Sequence, residues 1–142
     1  MKISNHITLA EAIKSQTAIR KGIDNTPSNE QIEAMKLVAN MCFEPLREWH
    51  GKPIGISSFF RSVALNRAVK GSPRSQHCKG QAIDIDADIF GGITNRDIYN
   101  WLVAHVDYDQ IIWEYGDDNN PAWVHISYVG NGKNRRQQLR IS

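Results

Sequence analysis

Apolar residues recur at helical spacing through the first third of the chain. A short helix is predicted over residues 8–15, with Thr8 as its N-cap. A long helix is predicted from about residue 27 to residue 49, capped by Thr26, because apolar residues return every three or four positions. Pro45 lies inside it and should kink or weaken the turn before it. The predicted buried stripe comprises Ile32, Met35, Ala39, Cys42, Leu46 and Trp49.

The rest of the chain alternates apolar and polar residues in short runs, which is typical of strands. Strands are predicted over residues 53–59, 81–86, 109–115, 122–129 and 136–141. Two helices interrupt them, a short one at 62–69 and one that Thr94 caps and that ends near residue 106. Asn131-Gly132 is a strong hairpin signal and predicts that the last two strands pair. This order predicts an α+β fold, in which a small antiparallel sheet packs against N-terminal helices.

Length and charge restrict the class of protein. A chain of 142 residues suffices for one buried core, so we expect a single domain over residues 1–142. The net charge is only +2, from 17 Lys and Arg against 15 Asp and Glu, which argues against nucleic acid or a membrane surface as a partner. Residues 119–142 contain four cations and no acid. That stretch predicts a solvated terminal strand, with an anion-binding patch as the less favoured alternative.

The sequence carries no sign of export. The N-terminus lacks an apolar h-region, so no conventional signal peptide is expected. No stretch approaches the roughly 20 apolar residues that a membrane span needs. Cys42 and Cys78 are too few for a disulfide framework and are expected to be free thiols in a reducing compartment. We therefore expect the protein to be cytoplasmic in the cell that makes it.

Two predicted strands each present one ionisable side chain opposite an apolar face. Ile83 and Ile85 alternate with Asp84, so the carboxylate points away from the face that the isoleucines bury. His125 stands out in the same way from a second strand, and His77 lies in the loop before Asp84. Two imidazoles and one carboxylate form a three-ligand set with an open fourth position, as in catalytic zinc sites. Taken singly, each residue is as well explained by a hydrogen bond or an ion pair.

The motif around these residues resembles a known zinc signature. Residues 75–84 match all five fixed positions of Ser-x-His-x-x-Gly-x-Ala-x-Asp, the signature of the D-alanyl-D-alanine carboxypeptidase family of peptidoglycan peptidases. That family includes the vancomycin-resistance D,D-dipeptidases, several phage endolysins and, by fold, the hedgehog signalling domain. Residues 56–62 resemble its Ser-Gly-Tyr-Arg-Ser stretch, with Asn66 and Gly71 also in place, and residues 123–126 resemble its last-ligand segment. The N-terminal part resembles the small single-domain branch of the family.

The resemblance implies a hedgehog-like zinc peptidase fold with the zinc site on the sheet. His77, Asp84 and His125 would bind one zinc ion per chain. Arg61 would bind the substrate or stabilise the oxyanion, a role that suits a permanently charged guanidinium. The alternative for Arg61 is a surface arginine at a helix start. Ser75 is expected to hydrogen-bond the substrate or, equally, to cap the loop.

The general base is the position where this chain departs from the family. Many members place a Glu three residues before the final His, and others place a His two residues before it. Here these positions hold Ala122 and Trp123. We expect Glu114 to take the role, because a hairpin would bring the strand that it ends beside the strand of His125. A solvent-facing strand-end acid is the competing interpretation of Glu114, and Asp86 is the next candidate for the base.

The resemblance favours a zinc metallopeptidase that hydrolyses peptidoglycan stem peptides, as a D-Ala-D-Ala carboxypeptidase or as an endolysin-type endopeptidase. The alternative is a catalytically inactive, zinc-stabilised module that binds cell wall or protein. A two-His-one-carboxylate iron(II) oxygenase ranks last, because such enzymes usually carry His-x-Asp on one strand. Phage lysis or carriage in a virion would bring a cytoplasmic product to the wall. The sequence leaves the oligomeric state open.

Overall fold

The computed structural model describes residues 1–142 and begins with a small strand-and-helix unit. Its elements are β1 (Lys2–Ser4), β2 (Ile7–Thr8), α1 (Leu9–Ala12) and α2 (Gln16–Lys21), with β1 and β2 antiparallel. Thr8 caps α1 as predicted, because its hydroxyl oxygen accepts a hydrogen bond from the Glu11 N–H at 3.1 Å. β1, β2 and α2 go beyond the sequence prediction, since each is too short to give a periodic signal.

The predicted long helix begins two residues later than expected from its cap. α3 (Asn29–Val38) is capped by Ser28, which forms a reciprocal capping box with Gln31. The prediction of Thr26 as the cap was wrong. Its N–H and its hydroxyl both donate to Oδ1 of Asp24, at 3.0 Å and 2.6 Å, so Thr26 belongs to the preceding turn.

The weak turn expected before Pro45 is a π-helical turn. It spans Ala39–Phe43 and leads into α4 (Glu44–His50). The Glu44 N–H donates to the Ala39 carbonyl, five residues back. Proline has no N–H with which to continue the α-helical ladder. The wider turn therefore absorbs the interruption, and the two helices remain one continuous rod.

A five-stranded sheet occupies the second half of the chain. Its strands are β3 (Gly55–Ser58), β4 (Ala82–Asp86), β5 (Gln110–Glu114), β6 (Trp123–Ser127) and β7 (Gln137–Ile141), in the spatial order β3-β4-β6-β5-β7. α5 (Val63–Ala68) follows β3 in the chain, and α6 (Asn95–His105) follows β4. The α+β prediction is confirmed. None of the helices is both long enough and apolar enough to cross a membrane.

The last strand does not lie where the hairpin signal predicts. β7 pairs parallel with β5, so the sheet is mixed, whereas all its other neighbouring strands are antiparallel. β6 already lies between β4 and β5 and has no free edge for a return strand. Asn131 and Gly132 do form a turn, with left-handed φ of 53° and 70°. The chain then crosses to the free edge of β5, and the predicted pairing of the last two strands was wrong.

One apolar cluster joins the helices to the inner face of the sheet. Its members from β4, β6 and the long helix include Ile83, Ile85, Val124, Ile126, Met35, Val38, Ala39, Cys42 and Leu46. Burial of each isoleucine contributes about 1.5–3 kcal/mol, so the cluster fixes the register of both strands. Trp49, predicted for the buried stripe, stays 52 % exposed. It stacks instead on Trp101, at 5.3 Å between ring centroids.

A buried amide ties the N-terminal unit to the chain just after β3. Nδ2 of Asn25 donates to the carbonyl oxygens of Ile13 at 2.8 Å and Phe60 at 3.1 Å. Oδ1 of Asn25 accepts from the Ser62 N–H at 2.7 Å. The Phe60 N–H also donates to the Ala12 carbonyl at 3.0 Å. These contacts fix the path of the segment between β3 and α5.

Candidate metal centre

His77 lies in a short 3-10 turn, Gln76–Lys79, that is fixed at both ends. At its start, Ser75 Oγ accepts a hydrogen bond from the His77 N–H at 3.2 Å. At its end, Gly80 has a left-handed φ of 73°, and a Cβ there would lie 2.5 Å from the Gln31 carbonyl oxygen. Glycine is therefore required both by the backbone and by the close approach of α3. The turn holds the His77 side chain inside the protein, 1 % exposed.

Hydrogen bonding decides which ring nitrogen of His77 faces the site. Nδ1 lies 2.6 Å from the Phe59 carbonyl oxygen. That oxygen can only accept, so Nδ1 carries the proton of the neutral ring and Nε2 keeps a lone pair. Nε2 is buried, has no hydrogen-bond partner and lies 3.2 Å from Oδ1 of Asp84. Histidines that bind metals are commonly oriented in this way, through the other nitrogen.

Asp84 and His125 face each other across the two central strands. They are direct partners in the antiparallel register of β4 and β6. Oδ1 of Asp84 lies 3.0 Å from Nδ1 of His125. Burial by itself raises the pKa of Asp84, but the positive charge and the hydrogen bonds that His77 and His125 supply when their rings are protonated outweigh burial and hold that pKa well below its usual range. The side chain is therefore an anion, as a metal ligand must be.

The three side chains fit a zinc ion. One donor atom from each of His77, Asp84 and His125 lies within 4.8 Å of the others. Tetrahedral zinc with bonds of about 2.0–2.2 Å spaces its donors by about 3.3–3.6 Å. The separations of 3.0 Å and 3.2 Å around Oδ1 of Asp84 come close to that spacing. A bound ion would also satisfy the buried Nε2 of His77, which no protein group does.

Glu114 lies on the same face of the sheet as the candidate metal ligands. On β5 it shares a face with Ile112, the register partner of His125, and its own partner is Trp123. Oε2 of Glu114 accepts from Trp123 Nε1 at 3.0 Å and lies 3.8 Å from Nδ1 of His125. Burial, together with the charge of Asp84, raises the pKa of Glu114. A half-buried carboxylate with a raised pKa beside such a donor set is suited to accept a proton.

Arg61 reaches the same cleft from the segment after β3. Its N–H donates to the His77 carbonyl at 3.3 Å, which anchors its backbone to the metal turn. Its Nε is buried without a hydrogen-bond partner. Gly71 leaves room for the guanidinium, because a Cβ there would overlap Asn66 Oδ1 and lie 3.1 Å from Arg61 Nη1. No group of the protein accepts a hydrogen bond from Nε, and Arg61 lines the cavity that contains the candidate metal ligands.

Two cavities meet at Asp84 and Arg61. The first has a volume of about 910 Å³ and is lined by all three candidate metal ligands, by Glu114 and by Ser75. The second, about 820 Å³, runs along the edge strand β3 and shares Arg61 and Asp84 with the first. A peptide in an extended conformation could therefore lie across the site with chain on both sides.

The sequence analysis missed a buried carboxylate that connects the metal turn to the C-terminal segment. Asp109 is 1 % exposed and lies just before β5. It accepts from Gln76 Nε2 at 2.9 Å, and from the N–H, Nε and Nη2 of Arg135 at 2.9, 2.9 and 2.7 Å. The Arg135 hydrogen bonds lower the pKa of Asp109 to about 2. No motif surrounds Asp109, so only its place at a predicted strand start distinguishes it in the sequence.

Asp86, the next candidate for the general base, has a structural role. Oδ1 of Asp86 accepts from the Asp88 N–H at 3.0 Å and from Asn95 Nδ2 at 3.1 Å. Asp86 thus caps the 3-10 turn after β4 and does not line the cavity of the candidate ligands. Cys42 and Cys78 are free thiols.

Comparison with known families agrees with this geometry. The model of the peptidase M15 family matches residues 5–127, which include the candidate metal ligands, Arg61 and Glu114. No curated protein matches the chain. The family match ends with β6 and leaves out residues 128–142.

Proposed function

This chain belongs to the peptidase M15 family, and we propose that it is a zinc-dependent metallopeptidase that hydrolyses peptide bonds in peptidoglycan stem peptides. Membership of a family of zinc peptidases supports the metallopeptidase activity. The observation that carries the proposal is the buried, unpartnered Nε2 of His77 beside Asp84 and His125, in an open cavity. The likeness of residues 75–84 to the D-alanyl-D-alanine carboxypeptidase signature supports the substrate class.

His77, Asp84 and His125 would hold the zinc ion. Zinc at this position supplies Lewis-acid polarisation of the scissile carbonyl group and makes water reactive near neutral pH. The Phe59 carbonyl keeps the His77 ring in its metal-binding tautomer. The direct pairing of Asp84 with His125 across the sheet keeps those two donors at a fixed separation.

Glu114 serves as the general base in this proposal. It accepts a proton from the attacking water and passes it to the nitrogen of the leaving amine as the C–N bond breaks. Trp123 Nε1 holds Oε2 of Glu114 in place. Burial raises the pKa of Glu114 toward the working pH, which makes it a better base than an exposed carboxylate. Glu114 thus supplies the general base that Ala122 and Trp123, which occupy the usual positions of the base in the family, cannot provide.

Arg61 and Ser75 bind the substrate. The unpaired guanidinium of Arg61 stabilises negative charge that develops on the carbonyl oxygen, or a carboxylate of the substrate. Ser75 Oγ accepts from the His77 N–H, so its own O–H remains available to donate to the peptide. Both residues line the cavity that contains the candidate metal ligands.

A product analysis with and without zinc tests the proposal. Purified protein is stripped with a chelator, reloaded with zinc and incubated with a synthetic pentapeptide ending in D-Ala-D-Ala and with cross-linked muropeptides. We expect cleavage by the zinc-loaded protein and none by the stripped protein. Mass spectrometry identifies the bond, because release of D-alanine indicates a carboxypeptidase and separation of cross-linked peptides indicates an endopeptidase.

The same samples test the alternative of a zinc-stabilised wall-binding module. Such a module would gain thermal stability on zinc loading and would sediment with purified peptidoglycan, yet release no product. A protein that binds iron but not zinc would contradict both the peptidase and the module.

A further inference from the structure

The cavity at the candidate metal ligands is strongly cationic, although the whole chain has a net charge of only +2. Six cationic and three acidic side chains line it. Arg135 and Asp109 pair with each other, which leaves five cations against Asp84 and Glu114. These cations are Arg61, Lys70, Arg74, Lys79 and Lys133. None of the five takes part in an ion pair within the protein, so their charge is available to an anionic ligand.

The acid-free C-terminal stretch contributes one of these free cations. Three of its four cations are neutralised by carboxylates from other parts of the chain. The pairs are Arg135 with Asp109, Arg136 with Asp107 and Arg140 with Asp118. Lys133 alone has no such partner, and it lines the cavity. Most of the positive charge of this stretch is therefore neutralised within the protein, and only the ammonium group of Lys133 remains unpaired, at the cleft.

Backbone contacts hold the loop of Lys133 beside the metal turn. The Tyr128 N–H donates to the Gln81 carbonyl at 3.0 Å, two residues after Lys79. Oδ1 of Asn134 accepts from the Val129 N–H at 2.8 Å, which closes the loop that carries Lys133. The position of Lys133 on the cavity wall is thus set by the fold rather than by a free tail.

We propose that Arg74, Lys79 and Lys133, here called the cationic wall, bind carboxylate groups on the peptide substrate and so select acidic peptides. The inference rests on the proposed function, because the cleft is taken to hold a peptide. All three side chains are exposed and unpaired. The two lysines carry point charges on flexible stems, which suit a peptide whose carboxylates occupy variable positions, and the planar guanidinium of Arg74 can bind a carboxylate in a bidentate manner. Lys133 lies beyond residue 127, so the wall includes a part of the chain that the family match does not cover.

Two peptides that differ only in charge test the cationic wall. Both are synthetic stem pentapeptides with the same sequence and a free C-terminus, and in one of them every side-chain carboxyl group is amidated. Hydrolysis by the zinc-loaded protein and equilibrium binding to the metal-stripped protein are measured for each, at low and high salt. We expect the acidic peptide to be preferred by about tenfold in both measurements, and the preference to shrink as salt screens the exposed charges.

Lys133→Met and Lys79→Met should each reduce that preference by about two- to fivefold, in keeping with exposed charge pairs. Lys52→Met is the matched control, because Lys52 is exposed and lines neither cavity. It should leave the preference unchanged. The proposal of the cationic wall would be overturned if the parent protein hydrolysed and bound the two peptides equally, or if it bound neither. It would also be overturned if both lysine variants kept the parental preference for the acidic peptide. Selective binding without hydrolysis would instead overturn the proposed activity and leave the wall standing.

Discussion

The centre and the edge of the main sheet are held in place by different interactions. Strands β4 and β6 have four buried side chains out of five each, whereas all five side chains of β7 are exposed. Buried isoleucines fix the central strands, and Asp84 and His125 project from their other face. Charged hydrogen bonds such as Arg135 to Asp109 fix the segment that leads into β7. The family match covers the centre and stops before that edge.

The contrast suggests that the two regions have different functions. Packing holds the residues proposed for the reaction, and a one-residue slip there would bury Asp84 in the core. The pairs Arg136–Asp107 and Arg140–Asp118 join exposed side chains and contribute little individually, so these charges of the edge can change without loss of the fold. The segment that leads to the edge contributes Lys133 to the cationic wall, so we expect substrate selection to depend in part on this segment and the chemistry to depend on the centre.

The largest effect should come from Asp84→Asn in the centre. The amide keeps the size of the side chain but loses the charge that attracts both imidazoles and the metal. We expect zinc affinity to fall by at least about 100-fold and hydrolysis to become undetectable. Metal analysis after dialysis and a peptide hydrolysis assay measure this. Asp97→Asn, at an exposed position on α6, is the control, and full zinc occupancy in Asp84→Asn would contradict the assigned ligands.

Glu114→Gln should cost about 10²–10⁴-fold in turnover while zinc stays bound. Glutamine still accepts the hydrogen bond from Trp123 but cannot take a proton from water. Single-turnover kinetics on zinc-loaded protein measure the loss. Glu48→Gln, an exposed glutamate on α4, should behave as the parent. Parental turnover in Glu114→Gln would show that another group accepts the proton.

Arg61→Ala should lower kcat by about 10²–10³-fold, because an anion-stabilising donor is lost from the cleft. Zinc content and thermal stability should remain close to parental, since the guanidinium has no partner within the protein. Arg67→Ala, exposed on α5, is the matched control. If Arg61→Ala unfolds at a lower temperature with normal kcat, the side chain has a structural role only.

Arg135→Ala tests the edge and should have the smallest effect on chemistry. Asp109 would lose two of its hydrogen bonds, at a cost of about 1–2 kcal/mol of the free energy of unfolding at pH 7. Arg136→Ala removes a pair between two exposed side chains and should cost less than about 0.5 kcal/mol. Denaturant unfolding of both variants measures the two losses in the free energy of unfolding. Equal losses would show that the pair with the buried Asp109 stabilises the protein no more than an exposed pair does.

The same pair of residues predicts a pH dependence. Because Arg135 lowers the pKa of Asp109 to about 2 in the folded state, the ionised carboxylate stabilises the protein above the unfolded pKa near 4. That contribution is lost as the pH falls from about 4 to about 2. The gap in stability between the parent and Arg135→Ala should therefore narrow over this range. A constant gap would mean that Arg135 acts through packing.

The centre of the sheet could be predicted from the sequence because its signals are local. Alternation around Ile83 and Ile85 set the face of Asp84, and the signature at residues 75–84 indicated a zinc peptidase. The same reasoning placed Glu114 on the strand next to His125, and the structure has these two strands paired. Each of these inferences depends on a few neighbouring residues, so one sequence contains enough information for them.

The edge could not be predicted, because its determinants are distant in the chain. Asn131-Gly132 correctly predicted a turn but not the strand with which β7 pairs. That pairing depends on which strand edges are free after β4, β5 and β6 have assembled. Asp109 acquires its contacts only when residues 26 positions later in the chain fold back onto it. The unpaired state of Lys133 likewise depends on which carboxylates its neighbours meet.

The buried amide of Asn25 makes the arginine segment and the N-terminal helices one cooperative unit. Opening either of them breaks the hydrogen bonds of Asn25 to Ile13, Phe60 and Ser62 and exposes a polar core group. Local fluctuations that would swing Arg61 out of the cleft therefore require the N-terminal turn to detach at the same time. In native-state amide exchange we therefore expect the two stretches to open together, so that the N-terminal unit, which supplies none of the candidate metal ligands, influences how often the cleft loses its arginine.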